Sequence, residues 1–108
     1  MTLAIVGSRS IEIELSDYIP NNVTCLVSGG AKGIDSCVRT FAERSGINLI
    51  EFLPDYKRYG KAAPLIRNKQ IVEYADKVLI FWNGSSKGTK FVIEECKKQA
   101  KEYEVYII

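Results

Sequence analysis

Five short apolar runs rich in β-branched residues constrain this chain more than any other feature: Leu3 to Val6, Val23 to Val27, Ile47 to Leu53, Val78 to Trp82 and Val105 to Ile108. Strands covered on both faces read as near-continuous hydrophobic stretches of this kind, and each run follows a segment long enough for a crossover. The pattern predicts an α/β fold, a single three-layer domain over residues 1–108 built on a mainly parallel five-stranded sheet. Helical periodicity covers about Gly33 to Ser45, with Ile34, Val38, Phe41 and Ala42 on one face. It recurs over about Ala62 to Ala75 and over about Gly88 to Tyr103, where Val92, Cys96, Ala100 and Tyr103 align. The segment Ile11 to Leu15 alternates as a strand would, yet Ile11, Leu15, Tyr18 and Ile19 also fit one helical face ahead of Pro20. A short helix is expected there, because a parallel neighbour needs a crossover of roughly a dozen residues.

Composition narrows the chemistry. The chain contains no histidine, which removes His-based general bases, Ser-His-Asp and Cys-His nucleophiles and the common metal sites. No metal or resident cofactor is expected, and any reaction would rest on Asp, Glu, Arg, Lys, Ser or Tyr. Cys25, Cys37 and Cys96 are odd in number, widely spaced and set among apolar residues, which suits free thiols in a reducing compartment. No run is long enough to cross a bilayer and no basic leader precedes Met1 to Val6, so a cytoplasmic location without membrane partners is expected. A net charge of +2 argues neither for nor against nucleic acid. A homo-oligomer is compatible with all of this.

In open parallel sheets ligands bind at the carboxyl ends of the strands. Three of those ends are rich in glycine and hydroxyls: Gly7-Ser8-Arg9, Ser28-Gly29-Gly30-Ala31-Lys32-Gly33 and Gly84-Ser85-Ser86-Lys87-Gly88-Thr89. Glycine lets backbone approach an oxygen-rich ligand, hydroxyls donate to it, and a following helix presents free N–H groups. Tight strand-to-helix turns need Gly and Ser in any case, but the coincidence of three such loops favours an anion cradle. Arg9 and Lys32 each set a cation beside these loops. Asp35 falls in the first turn of a helix, where it either offsets the dipole or meets a ribose or base. Arg67 and Asn68 interrupt the apolar stripe of their helix, either as a solvated patch or as contacts to a phosphate and a base edge. The run Asp55 to Lys61 interleaves cations with Tyr56 and Tyr59, a composition that stacks bases or forms a solvated loop. Neither the Walker A spacing nor the dinucleotide fingerprint is present.

Taken together, Ser28-Gly29-Gly30-Ala31-Lys32-Gly33-Ile34-Asp35 resembles the S-G-G-A-x-G-I-D signature of the SLOG superfamily, including its YspA/YpsA-related and DprA branches. Gly7-Ser8-Arg9, Arg67-Asn68, Ala75-Asp76-Lys77 and Gly88-Thr89 resemble further elements of that pattern, in order and across almost the whole chain. The resemblance implies a Rossmann-like sheet and a nucleotide-related ligand held by these loops, with sensing, nucleic-acid binding or nucleotide processing as roles. The YspA/YpsA-related branch is closest in size. The LOG-like phosphoribohydrolases carry a catalytic glutamate directly after their G-T, whereas Lys90-Phe91 follows Gly88-Thr89 here.

The expected function is binding of a nucleotide or nucleotide-derived ligand by Gly7, Ser8, Arg9, Ser28, Gly29, Gly30, Lys32, Gly33, Asp35, Arg67, Asn68, Gly84, Ser85, Gly88 and Thr89. The alternatives are N-glycosidic hydrolysis of a nucleoside monophosphate and DprA-like binding of single-stranded nucleic acid. On this reading Gly30→Val blocks the ligand in a domain that stays folded.

Overall fold

A computed structural model describes all of Met1–Ile108. Its strands are β1 (Thr2–Gly7), β2 (Cys25–Ser28), β3 (Asn48–Glu51), β4 (Lys77–Trp82) and β5 (Glu102–Ile107). They form one all-parallel sheet in the order β3-β2-β1-β4-β5. The Rossmann-like α/β architecture follows from this order. The chain builds outward from β1 through β2 to β3, then returns to the other side of β1 with β4 and β5. Order therefore reverses between β1 and β4, and their carboxyl ends diverge around a crevice.

Two apolar clusters cover the two faces. Helix α1 (Ile34–Ser45) sets Ile34, Val38 and Ala42 against Leu3, Ile5, Leu26, Leu79 and Phe81. On the other face α3 (Ala63–Tyr74) and α4 (Lys87–Lys98) bring Ile71, Val72, Val92 and Cys96 onto Ala4, Val27, Val78 and Ile80. The short helix α2 (Tyr56–Tyr59) and a 3₁₀ turn (Gly60–Ala62) lead into α3. No helix is long and apolar enough to cross a membrane.

Two elements differ from the sequence expectation. The segment between β1 and β2 contains no helix. It runs over the face shared with α1 as an irregular strap, pinned by buried Ile11, Leu15 and Val23 and by half-buried Ile13, Tyr18 and Ile19. Ile11 and Ile13 are β-branched, and Ser16 donates both its N–H and its hydroxyl to the Glu14 carboxylate, a local bond that competes with helical ones. The second difference is that α4 ends at Lys98, and Tyr103 belongs to β5. There Ala100 takes a left-handed φ of 52°, Lys101 N–H reaches Cys96 O at 2.9 Å and Ala100 N–H reaches Lys97 O at 3.3 Å. These are the paired closing bonds of a Schellman turn, formed with alanine where glycine is usual.

Candidate functional site

Because β2, β1 and β4 are adjacent in the sheet, the three glycine- and hydroxyl-rich loops that follow them emerge side by side. Between these loops and the first turns of α3 and α4 lies a cleft of about 470 Å³, within the size range of small-molecule sites. Gly7, Ser8 and Arg9 line it from β1, Gly29 and Asp35 from the β2–α1 turn, Arg67 and Asn68 from α3, and Gly88 and Thr89 from α4.

The two loops on either side of the crevice are tied together. The Ser8 N–H continues the β1–β4 ladder to Phe81 O at 3.0 Å, and the buried Ser8 hydroxyl accepts the Asn83 N–H at 3.2 Å. The Asn83 amide donates to the Ser10 hydroxyl at 3.3 Å, and its oxygen accepts the N–H groups of Ser85 and Ser86 at 2.9 Å each. Ser86 in turn caps α4, accepting the Thr89 N–H at 3.4 Å and the Thr89 hydroxyl at 3.2 Å. This leaves the N–H groups of Arg9, Ser10 and Gly88 without an acceptor in the chain. All three belong to residues lining the cleft, and Gly88 stands in the first turn of α4 at the positive end of its dipole.

Arg67 is anchored. Its Nη1 donates to Gly29 O at 2.8 Å, and its Nε donates to Asn68 Oδ1 at 2.9 Å. Nη2 has no partner within the chain. Gly29 makes this seat: a Cβ there would lie 2.6 Å from Nη1. Burial lowers the Arg67 pKa from its usual value, and the neighbouring Asp35 opposes that shift. Asp35 accepts the Ala31 N–H at 2.9 Å and so holds the β2–α1 turn; burial raises its pKa, against this hydrogen bond and the Arg67 charge. It is the one carboxylate on the cleft lining, against two guanidinium groups. Arg9 is exposed and hydrogen-bonds to no side chain or carboxylate.

The remaining candidates lie off the lining. Ser28 is fully buried, its hydroxyl 3.5 Å from the Gly30 N–H. Gly30 has φ of 70°, and a Cβ there would sit 2.7 Å from Leu53 Cδ2. Gly30→Val therefore strains the backbone before it could obstruct the cleft. Gly33, at φ 69°, would bring a Cβ within 2.3 Å of Arg9 O, so its place is to let α1 start against the β1 loop. Lys32 is exposed, and Gly84 and Ser85 form the turn after β4. Glu94 and Glu95 also lie outside the cleft, and Glu95 is engaged by Gln99 at 2.8 Å. Ser10, Asn83 and Ser86 were not among the expected site residues. The Asn83-Gly84 pair is a turn signal, and it is the only mark the sequence gives of this bridge.

No family model, curated protein or solved structure matches this chain.

Proposed function

We propose that the cleft between the carboxyl ends of β1 and β4 binds a nucleotide or a nucleotide-derived ligand, with its anionic group on the loop N–H groups and the two arginines. The observation that carries this reading is that Arg9, Ser10 and Gly88, whose N–H groups have no acceptor in the chain, line one crevice together with the two arginines, Arg9 and Arg67. Such a set has the chemistry of a phosphate acceptor: free backbone donors, the positive end of a helix and a charged fork. Asp35 and Asn68 add an acceptor and an amide suited to hydroxyls or a base edge. The similarity to SLOG motifs points to the same ligand class.

A thermal-shift screen against mono-, di- and cyclic nucleotides, NAD, ADP-ribose and a short single-stranded DNA tests the proposal. A ligand at about 100 times its Kd stabilises the native state by roughly 2.7 kcal/mol, which moves the melting point of a domain this size by several degrees. A shift with one nucleotide class supports the reading, and release of free base over time would extend it to hydrolysis. A shift with DNA alone would replace it by strand binding, and no shift with any ligand would contradict it.

A further inference from the structure

The free donors of the cleft stand on two separate loops. On the β1 side, the Ile11 N–H closes a turn on Ser8 O at 3.2 Å, and the two central residues of that turn, Arg9 and Ser10, carry unpaired N–H groups. On the β4 side, Asn83, Gly84 and Ser85 are exposed and belong to neither core cluster, and Gly84 takes φ of 86°. The Asn83 side chain organises this second loop. Its Oδ1 accepts the N–H groups of Ser85 and Ser86 at 2.9 Å each and the Ser85 hydroxyl at 3.2 Å. Ser86 caps α4 and its carbonyl accepts the Trp82 Nε1–H at 3.0 Å, so this loop determines where α4 begins and where the Gly88 N–H lies.

Two hydrogen bonds from Asn83 reach the β1 loop. The backbone N–H donates to the buried Ser8 hydroxyl at 3.2 Å, a bond that survives most substitutions at this position. The side-chain amide donates to the Ser10 hydroxyl at 3.3 Å, a bond that needs asparagine chemistry. With three donors on its oxygen and one amide hydrogen committed, the side chain keeps a single hydrogen free. Donors on two loops grip one anion well only if their spacing is held before it arrives; otherwise binding must order them, at a cost in affinity.

We infer that Asn83 is a positioning residue of the cleft. Through Ser10 on one wall and Ser85 and Ser86 on the other, it fixes the N–H groups of Arg9 and Ser10 relative to that of Gly88, so that both walls receive one anionic group together. This rests on the nucleotide reading above. The bonds are exposed, so their loss falls on affinity more than on folding.

The test is isothermal titration of wild type, Asn83→Ala, Ser10→Ala and the double variant with the four nucleoside 5′-monophosphates and with inorganic phosphate. Ser10→Ala keeps the backbone N–H of that residue and removes only the acceptor of the Asn83 amide. Asn83→Ala should weaken the tightest of these probes about fivefold and Ser10→Ala about threefold, the range set by loss of one or two hydrogen bonds. The double variant should bind no more weakly than Asn83→Ala alone, because the two changes remove the same bridge. Without ligand, Asn83→Ala should move the amide resonances of Arg9 and Ser10, and Ser10→Ala those of Ser85, Ser86 and Gly88 across the crevice. A residue that served folding alone would lower the melting temperature and leave these affinities unchanged. Should Asn83→Ala fail to fold, Ser10→Ala carries the test by the same affinity loss and amide shifts. Losses that add in the double variant make Asn83 a direct ligand contact and overturn the inference. So does wild-type affinity in Asn83→Ala, or amides that stay unmoved across the crevice; each of these leaves the nucleotide reading standing. Absence of binding of every probe to wild type overturns that reading and this inference with it.

Discussion

Arg9 and Arg67 bring the same charge to the cleft by different means. Arg67 is held by Gly29 O and Asn68, so its removal would disturb the loop as well as the charge. Arg9 is exposed and unpaired, which separates the two effects. Arg9→Ala should change folding stability by less than about 0.5 kcal/mol in a urea titration. The same variant should weaken a bound nucleoside monophosphate about tenfold or more, the loss of one charge-assisted hydrogen bond. Asp35 supplies a pH prediction. Its folded pKa is raised, first by burial, so the folded state holds its proton more firmly than the unfolded chain does. Between the ordinary Asp value of 3.8 and the raised folded pKa the native state therefore keeps a proton that the unfolded chain has lost, and stability falls as the pH rises through that interval. Asp35→Asn removes this term. Its melting temperature should match wild type below pH 3.8 and exceed it above, by a margin that grows until the pH passes the raised folded pKa and is constant beyond; a variant that is less stable near neutral pH would contradict this balance. At this scale the sequence marked Gly29 as a place of close approach, to a ligand on the sequence reading, whereas in the structure the group that approaches it is the Arg67 guanidinium. The sequence was silent where a polar residue had many uses, as with Asn83, whose bridge depends on β4 lying next to β1.

At the scale of elements, the central strands β1, β2 and β4 were legible because the sheet buries most of their side chains, and a run of Val, Ile and Leu has few other uses. Their ends were less so. β5 starts three residues earlier than its apolar run, with Glu102 and Glu104 turned outward to Lys77 at 3.3 and 3.6 Å. An edge strand can afford such residues, and they carry no strand signal. The end of α4 was hidden for another reason. Its closing turn uses Ala100 in the left-handed region, and alanine gives no sign of a helix stop. Holding a Cβ in that conformation costs about 1–2 kcal/mol, so Ala100→Gly should stabilise the domain by about 1 kcal/mol, read as a higher urea midpoint with an unchanged slope. The strap over residues 8–24 escaped prediction because its apolar residues pack on the core without a repeating backbone.

For the whole molecule, the radius of gyration of 12.7 Å is close to the roughly 13 Å expected of a compact single domain of this length. Phe81 is the point where its parts meet. It is fully buried, its ring lies 5.0 Å from that of Tyr18 in the strap and 5.3 Å from that of Tyr106 in β5, and its carbonyl accepts the Ser8 N–H beside the cleft. Phe81→Ala should cost about 3–5 kcal/mol, a large part of the total for such a domain, and calorimetry should record it as a lowered Tm. The sheet order, with its reversal between β1 and β4, is what gathers loops from distant parts of the chain into one cleft. The most direct test of the central claim is to follow the backbone amides by ¹⁵N–¹H NMR while adding the nucleotide that gives the largest thermal shift. The account predicts that the perturbed amides cluster at Arg9 and Ser10, Gly29 to Ala31, Arg67 and Asn68, and Gly88 and Thr89. Shifts confined to the opposite side of the sheet, around Glu12 to Leu15 and Thr40 to Arg44, or no shifts at saturating nucleotide, would contradict it.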